Sequence, residues 1–179
     1  GCLRVWETAG VEALSVMRSK AEHRRGAGVT ALGTIARSNG VVVGYQDGVV
    51  ELLRVDMEGK NNAVVGVTVL ATIELPSRVV AVQAQAEPKA ITIACESGVL
   101  AIWDARDGSC VVTKENDARL GYLTAMTVAP NGQYCIVGTN RGFIVCWDLR
   151  HRIANIGWRV PSHAAVTGVV FLKDDVLAT

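Results

Sequence analysis

One six-residue shape recurs four times along this chain, as GCLRVW (1–6), GVVELL (48–53), GVLAIW (98–103) and GFIVCW (142–147). The leading glycines lie 47, 50 and 44 residues apart. A period near ~45 residues suits a unit of four strands, whereas ankyrin or tetratricopeptide repeats run nearer ~33 and lack this strand chemistry. A short polar connection separates Gly48, Gly98 and Gly142 from apolar runs at 41–45, 91–95 and 134–138. Each run and the hexapeptide after it therefore read as a hairpin whose turn needs one residue at positive φ. Glycine supplies that without a Cβ clash, and Asp47-Gly48 is the strongest such signal.

Further β-rich runs stand before the hairpin positions, at 29–32, 79–82, 123–128 and 166–171, and less regular ones follow, at 11–17, 64–73, 110–113 and 154–158. Helical periodicity is absent. On the third strand of each unit one face carries Leu3 and Val5, Val50 and Leu52, Leu100 and Ile102, then Ile144 and Cys146; the other face is often apolar too. A strand apolar on both faces must be covered on both, which a sheet sandwiched between two neighbours satisfies. The expected fold class is thus all-β, a β-propeller, with blade parts at 1–22, 23–75, 76–116, 117–160 and 161–179. Two, four, four, four and two strands make about four blades' worth.

Two of the hexapeptides run into Trp103-Asp104 and Trp147-Asp148, while the other two read Trp6-Glu7 and Leu53-Arg54. Here the chain resembles the WD-repeat family over essentially its whole length. Propellers of that family usually close with seven blades, so the resemblance implies a partial ring, expected on its own to be poorly soluble or to pair its open ends. The Gly-His pair that often opens such repeats is missing, and His163 is its nearest approach. The structural repeat residues on this reading are Trp6, Gly48, Gly98, Trp103, Asp104, Gly142, Trp147 and Asp148.

Residues 121–128 (GYLTAMTV), 134–142 (YCIVGTNRG), 146–150 (CWDLR) and 158–162 (WRVPS) carry a narrower likeness. They are similar to the C-terminal propeller of the vacuolar-protein-sorting regulatory subunit of class III phosphatidylinositol 3-kinase, although His151 stands where that family usually has phenylalanine. The resemblance implies a large parent with an N-terminal protein-kinase-like domain, working as a protein scaffold in autophagy and endosomal or vacuolar sorting. Its expected partners are the lipid-kinase catalytic subunit and the autophagy and sorting subunits. Its expected place is the cytoplasm, peripheral on endosomal, vacuolar or autophagic membranes through the complex alone.

Composition narrows the alternatives. A formal net charge of +1 gives no field that selects nucleic acid or an anionic membrane as partner. The longest nearly apolar run, residues 63–73, is far short of the ~20 residues a membrane-spanning helix needs. The chain's five cysteines form no Cys-x-x-Cys pair, and they read as small buried hydrophobes. No glycine-rich phosphate loop, His-Arg-Asp or Asp-Phe-Gly motif is present, and no nucleophile elbow. This stretch is expected to be non-catalytic, without metal or cofactor. Two basic clusters remain as interaction candidates. Arg24 and Arg25, ahead of the strand at Val29, could grip phosphate bidentately, the alternative being a phosphoinositide-binding propeller. Arg150, His151 and Arg152 follow the Trp147-Asp148 turn, where a partner could reach them.

Overall fold

The computed structural model describes residues 2–6, 13–18, 27–36, 38–58, 63–85, 90–113, 117–173 and 176–178. They form antiparallel sheets throughout, and the one helical element among them is a three-residue 3-10 turn, Ala118–Leu120. In chain order the strands are β1 (Cys2–Trp6), β2 (Ala13–Arg18), β3 (Val29–Thr34), β4 (Gly40–Tyr45), β5 (Val49–Glu58), β6 (Ala63–Glu74), β7 (Val79–Ala84) and β8 (Ala90–Cys95). There follow β9 (Leu100–Asp104), β10 (Cys110–Val112), β11 (Leu123–Val128), β12 (Tyr134–Thr139), β13 (Phe143–Asp148), β14 (Ile153–Arg159), β15 (Val170–Lys173) and β16 (Val176–Ala178).

Each strand pairs with its neighbour in sequence. Three sheets have four strands, β3–β6, β7–β10 and β11–β14, and two have two, β1–β2 and β15–β16. The leading strands β3, β7, β11 and β15 stand side by side. This all-β stack of meanders is consistent with a partial propeller.

Turn chemistry sets the register. The N–H groups of Gly48, Gly98 and Gly142 donate to the carbonyls of Tyr45, Cys95 and Thr139 at 3.3, 3.0 and 3.1 Å. Their φ angles are +90°, +96° and +77°, the left-handed conformation expected of them. At Gly48 a side chain would also collide with the Leu75 carbonyl, and it would lie 2.9 Å from that of Ser77.

Both faces of the β7–β10 and β11–β14 sheets are covered, and strict alternation decides by what. On β9, Ala101 and Trp103 join Val42, Val50 and Leu52 in a core shared with the preceding sheet, while Leu100 turns the other way to meet Leu123, Val137, Val145 and Trp147. On β13, Ile144 packs with Val166, and Cys146 and Phe171 close over them. Trp147 packs toward the preceding sheet because it shares parity with Val145.

Close approach between sheets is made at one recurring position. A Cβ on Gly44 would collide with Val79, and one on Gly138 with Val166. Ala94 holds the same register on β8, fully buried against Leu123. Polar groups reinforce the seam: the Leu123 N–H donates to the Glu96 carbonyl at 3.1 Å and the Val166 N–H to Thr139 at 3.0 Å. Gln83 of β7 donates to the Val128 carbonyl and accepts from the Val128 N–H, at 3.3 and 2.8 Å.

Two boundaries depart from the sequence expectation. The run expected at 166–171 is in a ladder only from Val170, where β16 lies alongside; Val166 nonetheless occupies the packing site that Val79 fills two sheets earlier. Strand β5 runs ten residues, to Glu58, instead of ending near Leu53. Replacing Gly44 with valine is expected to destabilise the protein by about 1–3 kcal/mol through overpacking against Val79, measured by urea denaturation; unchanged stability would mean the sheets do not meet there.

Candidate functional site: the Trp-Asp turns and the surface around them

Trp103 and Trp147 each end a strand in the core, and the aspartate that follows turns the chain out of it. Asp148 Oδ1 accepts the backbone N–H groups of Arg150 and His151 at 2.9 and 3.2 Å. Arg150 then closes a fork on the same carboxylate, Nε to Oδ1 at 3.2 Å and Nη2 to Oδ2 at 2.8 Å, and His151 Nδ1 lies 3.1 Å from Oδ2. Asp104 repeats the device: its Oδ1 accepts the Arg106 N–H at 2.9 Å and Nε at 3.0 Å, and its Oδ2 the Arg106 Nη2 at 2.5 Å. Four residues after each aspartate the chain must pass through positive φ, +76° at Gly108 and +60° at Arg152. The unit is thus Trp-Asp-x-Arg-x followed by a left-handed residue.

These ion pairs hold both carboxyls below the ordinary range. The Arg106 contacts draw Asp104 from 3.8 to about 2, and the Arg150 fork with the His151 contacts lowers Asp148 further. Arg54, at the aspartate position of the β3–β6 sheet, cannot accept backbone N–H groups, so nothing ends β5 there. It pairs instead with Asp56 at 2.8 Å, and β5 and β6 extend as one long hairpin.

The indole N–H groups of Trp103 and Trp147 are both buried, with no acceptor among the described residues. A donor left unpaired in the core loses the solvation it had in water, so these rings contribute through packing alone.

The sequence-expected interaction residues fall differently from one another. Arg24 and Arg25 lie outside the described residues, as do Gly1 and the side chain of Trp6. Arg150 and His151 are drawn onto Asp148, and the Arg150 guanidinium also lies over the Tyr134 ring, 5.4 Å from its centroid, so they brace a turn. Arg152 is exposed and carries the left-handed backbone. A group that contiguity in sequence did not reveal lies at the opposite end of the same sheet. Arg141 Nη1 donates to the Arg119 carbonyl and Arg159 Nε to the Arg141 carbonyl, both at 3.1 Å.

Nothing among the described residues assembles three or more His, Cys, Asp or Glu side chains as a metal would need. Burial pushes the thiols of Cys95 and Cys135 up, the former to about 11, and those of Cys110 and Cys146 in the same direction. None of the four is in a disulfide. Thiols held protonated this way are poor nucleophiles and metal ligands.

No protein-family model matches the chain. Against curated proteins it is 26% identical over 169 residues, 89% of its length, to the probable serine/threonine-protein kinase vps15 of Dictyostelium discoideum. It is 24% identical over 170 residues, again 89% of its length, to the serine/threonine-protein kinase VPS15 of Arabidopsis thaliana. The chain is thus similar to one region of these VPS15 proteins. It spans about a tenth of the length of these relatives, 9% and 11% respectively.

Two outcomes follow. A carboxyl that titrates lower folded than unfolded, where it sits near 4, stabilises the fold above that pH and ceases to as pH falls through its folded value. Stability should therefore fall between about pH 4 and about 2, and Asp104→Asn should flatten that slope in an acid titration followed by circular dichroism. Trp103→Phe, which removes only an unpaired donor and part of the ring, should cost much less in urea denaturation than the roughly 3–5 kcal/mol expected of Trp103→Ala; equal losses would show that the indole N–H is satisfied.

Proposed function

We propose that this region is part of a WD-repeat propeller in a VPS15-type regulatory subunit of the class III phosphatidylinositol 3-kinase complex, and that it acts as a non-catalytic scaffold for other subunits. The observation that carries this reading is the match to two VPS15 proteins across 89% of the chain, coincident with described residues that form stacked antiparallel meanders, three of them four-stranded. The repeated Trp-Asp turns support the WD-repeat assignment, since each joins a third strand to a fourth. Sheets stacked face to face present their turns and loops on a rigid frame, which is how a scaffold offers sites to several partners.

On this reading kinase-like chemistry belongs to other parts of the parent chain, and membrane association is peripheral, through the complex. No helix among the described residues is long and apolar enough to cross a membrane. The test is co-purification of the full-length protein with the lipid-kinase catalytic subunit and the sorting subunits, with and without residues 1–179. Removal should abolish binding of at least one subunit while the remainder stays folded; an unchanged set of partners and unchanged phosphatidylinositol 3-phosphate would overturn the proposal.

A further inference from the structure

At the end of the β11–β14 sheet marked by the β12–β13 turn, three arginines from separate segments converge. Arg119 lies in the 3-10 turn ahead of β11, Arg141 in the β12–β13 turn and Arg159 at the close of β14. They are linked through main chain, by the Arg141 bond to the Arg119 carbonyl and the Arg159 bond to the Arg141 carbonyl. Arg159 also lies over the Phe143 ring, 5.1 Å from its centroid, which fixes its plane. All three are exposed, and no ion pair joins any of them to a described carboxylate. Asp117, the acid nearest in sequence, spends its Oδ1 on the Arg119 backbone N–H at 2.9 Å. Tyr122 stands beside them, half exposed, its backbone held on both sides by Asn140 at 3.0 Å.

A guanidinium has five N–H donors in a rigid fork. Arg141 and Arg159 each use one on a carbonyl, leaving terminal N–H groups in fixed directions at the surface. Like charges gathered at one sheet end, with no carboxylate among the described residues ion-paired to them, favour an anionic visitor, and an exposed tyrosine adds apolar contact at low entropic cost. A membrane surface fits less well: its attraction depends on clusters of roughly 4–8 basic residues with a field behind them, and this chain balances 18 basic against 17 acidic residues.

We propose that Arg119, Arg141, Arg159 and Tyr122 form a docking surface for an acidic protein segment, whose carboxylates pair with the guanidinium forks while an apolar side chain rests on the Tyr122 ring. The proposal rests on the protein-scaffold reading above and names one contact surface within it.

The test uses the full-length protein in its assembled complex, with Tyr122→p-benzoylphenylalanine as photo-crosslinking probe and the crosslinked peptide mapped by mass spectrometry. The expected product is one segment rich in Asp and Glu. Its yield should drop about tenfold or more in the Arg119→Glu/Arg141→Glu/Arg159→Glu background, and return when the mapped acids are changed to lysine. The milder triple Gln variant should reduce yield in the same direction, and assembly of the complex on gel filtration checks that each variant folds. A crosslink to a segment without acids, no crosslink at all, or a yield indifferent to the arginines would overturn the proposal while leaving the co-purification result above intact. If the reversal instead abolishes flotation on phosphatidylcholine vesicles carrying phosphatidylserine and phosphatidylinositol 3-phosphate, with the crosslink unaffected, the surface takes lipid and the protein-docking inference falls.

Discussion

The fold depends on covering sheets that are apolar on both faces. A meander such as β7–β10 has Ile91, Ile93 and Trp103 on one side and Ala94 and Leu100 on the other, so it could not stand in water with either side bare. Stacking solves this only if neighbouring sheets approach closely, and the approach is governed by the residue that faces the leading strand of the next sheet. That residue is glycine where the opposing side chain is Val79 or Val166, and alanine where it is Leu123. The side chains on the two sides of the seam are therefore chosen together, and main-chain bonds such as Leu123 to Glu96 form because the distance they need has already been set.

The Trp-Asp pair joins this packing constraint to chain direction. Tryptophan fills the core between its own sheet and the preceding one, and the aspartate ends the strand by taking up backbone N–H groups that a continuing ladder would otherwise have used. The β3–β6 sheet acts as an internal comparison. With Leu53-Arg54 in place of the pair, the same packing position is filled by an aliphatic side chain, but no carboxylate stops the strand, and β5 continues to Glu58. Length and termination are thus separable from burial. The indole N–H groups, with no acceptor among the described residues, fit this division, since the ring contributes its volume to the core.

Much of this was legible in the sequence because the signals are local and repeated. The positive φ at Gly48, Gly98 and Gly142 follows from a short turn after an apolar run, and alternation along β9 and β13 gives both buried faces directly. The extension of β5 was missed because its cause is the absence of an aspartate, which registers only once the turn made by Asp104 or Asp148 is known. The run that begins at Val166 is in a ladder from Val170, where β16 lies alongside, and the apolar character of Val166 itself marks packing against the Gly138 position.

Surface chemistry is less legible for a geometric reason. Arg150, His151 and Arg152 are contiguous and read as a basic patch, yet contiguity after an aspartate puts the first two within reach of its carboxylate, and the turn consumes their donors. Arg119, Arg141 and Arg159 are separated by 22 and 18 residues and read as three unrelated loop positions. Antiparallel pairing brings them together, because the start of β11, the β12–β13 turn and the end of β14 all fall at one end of the same sheet. Among the described residues, Arg150, close after an aspartate in sequence, braces a turn, while Arg119, Arg141 and Arg159, brought to one end of the sheet by the meander, are the ones proposed to meet another molecule.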